Sequence, residues 1–385
     1  MARVALAGLV ALGVAMGIGR FAFTPLLPMM QQDAGLSLNA GGWLASANYL
    51  GYLLGALSAT ALRIRPANAI RAGLVTIAVV TLGMGTSHTL VAWVALRALA
   101  GIASAWVLVF TSSWCLERLA QTARPVLTGV VFAGVGSGIA VAGVICLALM
   151  QRAASSSQAW TALGVVALAG VASVWRAFGT AEVLSKTPRR VADESRRWHA
   201  RWLPLVLCYG VFGFGYIIPA TFVPVMARQF VTNPSVFGWA WPAFGAAAAL
   251  TPLAAAVWAR RIGVRRVWIA GQATMALGVA VPVLWPTIGG IMTAALLVGG
   301  TFMVITMSGM QEARAVGGRA ATPLMAAMTS AFGTGQIAGP IAATSMLGAG
   351  GGFSGALLIA CVLLLATAAL LAIPPTATSE GAGQS

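Results

Sequence analysis

The chain has 385 residues, 59% of them hydrophobic and only 8% charged, with a mean hydropathy of +0.90. A soluble protein carries about 25% charged residues, so this composition excludes a soluble globular domain and indicates an integral membrane protein. The formal net charge of +16 does not indicate nucleic acid, because the arginines sit in short loops between apolar runs and not on one soluble face.

A bilayer-spanning helix needs about 20 apolar residues. In chain order, runs of that kind fall near 4–30, 42–62, 69–88, 90–114, 125–150 and 158–178. A second set falls near 202–227, 236–258, 266–286, 288–310, 323–346 and 352–373. The first run is too long for the apolar core of a cleaved signal, and it continues into the stretch around Arg20. The pattern predicts an all-α protein of twelve membrane helices: a six-helix half over 1–179, a polar cytoplasmic linker over 180–201, a second six-helix half over 202–375 and a cytoplasmic tail over 376–385.

The halves read as a duplication. GIGRFAFTPLLPMM, from Gly17 to Met30, is echoed 196 residues later by GFGYIIPATFVPVM, from Gly213 to Met226. At that offset Gly17 meets Gly213, Gly19 meets Gly215, Pro28 meets Pro224 and Trp43 meets Trp239. Identities on Gly, Pro and Trp are informative because these residues set backbone shape and interface anchoring. A repeat in the same direction is the layout of transporters with two parallel halves. At the one polar position of the stretch the halves differ, with Arg20 in the first and Tyr216 in the second.

Charge sets the orientation. With the N-terminus inside, Arg152 and Arg228 alone of the 23 basic residues fall in outer loops, and Arg20 and Arg97 alone fall within the membrane. Such a bias predicts both termini in the cytoplasm and a location in the bacterial inner membrane. The four cysteines, Cys115, Cys146, Cys208 and Cys361, lie in or beside apolar runs without metal spacing. With two histidines, His88 and His199, and no paired carboxylates, neither metal binding nor catalysis has material. The expectation is therefore no enzyme, no cofactor and no metal; the partners are the lipid bilayer and a small-molecule substrate, with no nucleic acid and with the monomer as working unit.

Local motifs extend the layout to a family. The basic loop GALSATALRIRPANAIR from Gly55 and its counterpart ARRIGVRR, Ala259 to Arg266, keep glycine and arginines but lack the acidic residue of the major facilitator superfamily. Arg97-Ala-Leu-Ala-Gly101 matches that superfamily's RxxxG pattern on helix 4, and Gly129, Gly134, Gly136, Gly138 and Gly143 match its Gly-rich helix 5. GIGRFAFTPLLP, GWLASANYLGYLLGAL (Gly42 to Leu57) and FGTGQIAGP (Phe332 to Pro340) resemble its uncharacterised YbfB/YjiJ-type branch. The resemblance covers essentially the whole chain. It implies the major facilitator fold, a transport role and a cavity lined by helices 1, 4, 7 and 10; it implies no substrate.

Few polar residues enter the membrane, and each admits two readings. Arg20 lies about 15 residues into helix 1, roughly 22 Å at 1.5 Å per residue, in the outer half of a hydrocarbon core about 30 Å thick. It either snorkels outward or bonds helix-end carbonyls, or it faces the cavity and holds an anionic group. Arg97 is structural or belongs to a coupling network. Tyr216 is a packed aromatic or a ligand from the facing half. Asn48 and Gln336 are interhelical glue or substrate ligands. No acidic residue falls mid-membrane. The expected function is a secondary or facilitative transporter of a small organic anion by alternating access, with substrate contacts from Arg20, Tyr216, Asn48 and Gln336. The alternative is an exporter of multiple drugs or hydrophobic compounds, suggested by 14 Phe, 13 Trp and 15 Met.

Overall fold

A computed structural model describes residues 1–62, 64–120, 122, 124–179, 202–227, 239–348 and 352–373. The expected linker over 180–201, the tail over 376–385 and Arg228 lie outside the described residues. Those residues form helices and no strand: α1 (Ala2–Leu12), α2 (Phe23–Asp33), α3 (Leu38–Ala61), α4 (Pro66–Thr86), α5 (Leu90–Leu119), α6 (Val126–Gln151) and α7 (Ser156–Val174). There follow α8 (Leu203–Ala227), α9 (Ala240–Ile262), α10 (Val264–Leu284), α11 (Ile288–Gly317), α12 (Ala321–Gly348) and α13 (Gly352–Ala372). Among the described residues ten helical runs are long and apolar enough to cross a membrane.

The helix ends follow local chemistry. Ser37, Thr89 and Thr287 cap α3, α5 and α11, each accepting a backbone N–H from three residues on. Ser155 and Gln158 form a reciprocal capping box at the start of α7. Gly263 and Gly318, at φ +91° and +51°, let the chain turn directly from α9 into α10 and from α11 towards α12.

One expectation needs correcting. The first span is not a single helix over 4–30. Between α1 and α2 the backbone passes through a π-helical turn, Gly13–Ile18, and then an irregular turn. Gly19 and Phe21 donate five residues back, to the carbonyls of Val14 and Met16. Pro25 has no N–H to offer Phe21, four residues before it. The Phe21 carbonyl instead takes the N–H of Thr24 at 3.2 Å, which is then lost to Arg20. The break thus frees backbone carbonyls beside Arg20.

Glycines bring the helices close. A Cβ on Gly17 would strike the backbone of Gly138, and one on Gly213 would strike that of Phe332, so α1 and its π turn sit against α6 as α8 sits against α12. Other contacts are paired in the same way. α3 packs on α5 and α9 on α11; α4 packs on α7 and α10 on α13; α6 meets α9 and α12 meets α3. Helix ends are tied alike too. Arg71 donates to the carbonyl of Trp175 at 3.2 and 2.6 Å, and Arg265 donates to that of Leu371 at 2.7 Å. Trp175 and Leu371 are separated by the same 196 residues that separate Arg20 from Tyr216.

Candidate substrate site

Arg20 sits on the turn that breaks the first span, and only 3% of its surface is exposed. It does not snorkel outward. Its Nη2 donates to Oε1 of Gln336 on α12, and its guanidinium lies 3.7 Å from the ring centroid of Tyr52 on α3. Tyr49 and Phe21 flank it at 5.6 and 5.7 Å. Arginine over an aromatic face is an attractive arrangement, stronger when dry.

Arg97, on α5, serves the break itself. Its Nη1 donates to the carbonyl of Gly19 at 3.0 Å and its Nη2 to that of Arg20 at 3.1 Å. Its guanidinium also lies 4.9 Å from the ring of Phe23. Asn48 in turn donates from Nδ2 to the Arg97 carbonyl at 3.0 Å, joining α3 to α5. Close approach there requires Gly101, whose Cβ would fall on the Asn48 carbonyl.

Arg20, Gln336, Arg97 and Asn48 therefore form one connected, buried network. Tyr216 stands beside it. Its ring, 1% exposed, stacks on Phe302 with centroids 4.3 Å apart, and Phe21 meets it edge-on at 6.5 Å. Phe21 and Tyr52 were not among the residues that sequence singled out. Tyr52 carried a signal, since it follows Asn48 by four residues and shares its helix face. Phe302 and Phe332 carried none, because nothing local distinguishes them from other core aromatics.

Donors outnumber acceptors. Nε and Nη1 of Arg20, Nε2 of Gln336 and Nε of Arg97 are buried without a hydrogen-bond partner, as is the acceptor Oδ1 of Asn48. Buried polar groups are normally satisfied, and an unpaired one costs about 1–3 kcal/mol, more when charged. No carboxylate among the described residues answers this surplus. Asp33 ends α2 and accepts from the hydroxyl of Ser156 at 2.8 Å, Glu117 lies in the last turn of α5, and Glu312, near the end of α11, is 3.9 Å from Arg265. No cluster of three metal-ligating residues occurs among the described residues.

Beside the network, and sharing Tyr52 with it, lies a void of about 10 Å³, lined by residues that include Met16, Tyr52, Tyr209, Phe302, Thr306 and Phe332. A water molecule needs roughly 10–15 Å³, so this void has room for at most about one water. Elsewhere between α5 and α12, Ser113 and Thr322 share a hydrogen bond of 2.7 Å.

The family described as "Uncharacterised MFS-type transporter YbfB" matches residues 12–372 of the chain. No curated protein matches it.

Proposed function

Because the chain belongs to the family of uncharacterised MFS-type transporters exemplified by YbfB, we propose that it carries a small organic anion across the membrane by alternating access. The ten apolar runs include one, Ile288–Ala343, that spans both α11 and α12, and they omit the 24-residue α3. Counting α11 and α12 separately and adding α3 yields twelve crossings. The paired helix contacts and the arginine ties to carbonyls 196 residues apart support two six-helix halves, 1–179 and 202–375, joined by the linker over 180–201. The halves would rock about a site at their seam, in a bacterial inner membrane with both termini in the cytoplasm, the monomer being the working unit.

The observation that carries the reading is the donor surplus around Arg20. Its permanent charge meets a neutral amide and aromatic rings but no anion among the described residues, and three N–H-bearing atoms on Arg20 and Gln336 have no acceptor. An uncompensated buried charge is costly, and a bound carboxylate would answer it with charge-assisted, bidentate hydrogen bonds. In this reading Arg20 and Gln336 hold the anion. Tyr216 contributes from the facing half, and Asn48 and Arg97 hold Arg20 in place.

The test is binding and uptake by Arg20 variants at matched expression, with thermal-shift screening of carboxylates, sulfonates and lipophilic cations to find a solute. Arg20→Lys keeps charge but loses the planar fork, so it should weaken uptake; Arg20→Gln should abolish most of it in a protein that still folds. Normal transport by Arg20→Gln sinks the anion reading.

A further inference from the structure

The rings at Arg20 and those packed on them limit what the anion's other end can be. Phe21, from the turn, and Tyr52, from α3, face Arg20, and on them pack Tyr216 from α8, Phe302 from α11 and Phe332 from α12. Tyr216 and Phe302 are stacked within the second half at 4.3 Å and 17°. Three contacts instead cross the seam, all edge-on: Phe21 to Tyr216 at 6.5 Å, Phe21 to Phe302 at 5.7 Å and Tyr52 to Phe332 at 6.3 Å. When the halves part, these crossing contacts are the ones that separate. What opens is a slot between aromatic walls, with the Arg20 guanidinium at its end, 3.7 Å from the Tyr52 ring.

We propose that the solute is an amphipathic monocarboxylate with a flat apolar body, the carboxylate on Arg20 and Gln336 and the body between Phe21 and Tyr52 on one wall and Phe302, Tyr216 and Phe332 on the other. This rests on the anion reading above. A ring inserted in the slot restores the edge and face contacts that opening removes, each worth about 0.5–1.5 kcal/mol beyond burial. A sugar or other polyol needs donors and acceptors on both faces, and the lining of the void beside Tyr52 offers few. A lipophilic cation suits the rings but meets Arg20. A second carboxylate would find no free guanidinium, because both terminal nitrogens of Arg97 are bound to carbonyls.

Equilibrium binding to the purified full chain, read by thermal shift and titration calorimetry, separates the ideas with four probes: acetate, 2-naphthoate, citrate and tetraphenylphosphonium. We expect 2-naphthoate to bind at least about tenfold more tightly than acetate, since one added aromatic contact approaches the 1.4 kcal/mol that a factor of ten represents. Phe302→Leu and Phe332→Leu, which keep apolar bulk but remove a ring, should narrow that ratio to within about threefold. Arg20→Gln should abolish binding of both carboxylates. Equal binding of acetate and 2-naphthoate, preference for citrate, or no response to 2-naphthoate at millimolar concentration overturns the aromatic body and leaves the role of Arg20 to the uptake assay. Tight tetraphenylphosphonium binding that survives Arg20→Gln overturns the anion reading as well.

Discussion

The break in the first span is held by one side chain, and its removal has a calculable cost. Arg97→Met takes away two charge-assisted hydrogen bonds, to the carbonyls of Gly19 and Arg20, and the contact with the Phe23 ring at 4.9 Å. Methionine has similar length and no donor, so both carbonyls are left buried and unpaired, at about 1–3 kcal/mol each. Against this stands relief. The buried charge disappears, and with it the unpartnered Nε, which offsets about one such loss. The expected net cost is about 1–3 kcal/mol, an order-of-magnitude figure from those same hydrogen-bond values. Arg97→Lys should fall between, because one ammonium keeps the charge but lacks the planar fork that spans two carbonyls.

The measurement is the half-life of monodisperse protein in detergent at several temperatures, since unfolding of a membrane protein of this size is expected to be irreversible and rate-governed. Binding of 2-naphthoate is measured in parallel. The order of lifetimes should be wild type, then Lys, then Met, with Met losing affinity because Arg20 is no longer fixed. If Arg97→Met has wild-type lifetime and wild-type affinity, the two carbonyls find other partners and Arg97 does not hold the break. If lifetime is unchanged but transport is lost, Arg97 acts in coupling and not as a clamp.

Two further perturbations test the packing and the orientation. Gly138→Ala places a methyl on the backbone of Gly13 and should cost about 1–3 kcal/mol as overpacking; Gly42→Ala, with nothing within 4 Å of the new atom, should leave the lifetime in detergent unchanged. In a background lacking the four native cysteines, Asn39→Cys should react with an impermeant thiol reagent applied outside intact cells, and Arg261→Cys should not; the reverse pattern inverts the proposed topology.

The gross layout was legible because it depends on short-range properties. Apolar runs, capping serines and threonines, and glycines at Gly263 and Gly318 act within a few residues, so the helices lie close to where hydrophobicity places them. The broken first span was half legible. Pro25 removes a donor wherever it stands, and Gly17 and Gly19 mark a pliable backbone, but whether such a helix kinks or opens depends on what satisfies the freed carbonyls. Here that is Arg97, 77 and 78 residues away in sequence. The partner of Arg20 was out of reach of local reasoning altogether, since Gln336 follows it by 316 residues and only helix packing joins them. The aromatic slot is of the same kind, with each ring ordinary in its own segment.

One feature crosses from sequence to structure unchanged. A membrane-embedded arginine with no acidic residue mid-membrane is visible in the sequence, and folding could have removed the anomaly by exposing Arg20 or surrounding it with carbonyls. It does neither. Arg97 is the arginine given to backbone carbonyls, while Arg20 has one hydrogen bond, to an amide, two unpartnered nitrogens and the faces of neighbouring rings. Gln336 supports that allocation, because its one bonded atom is the acceptor Oε1 and its Nε2 is unpartnered. A glutamate there would have neutralised Arg20 and stabilised the closed state. The amide instead leaves the positive charge standing and adds a donor; in the proposed reading this arrangement favours closure around an acceptor-rich solute over closure of the empty protein.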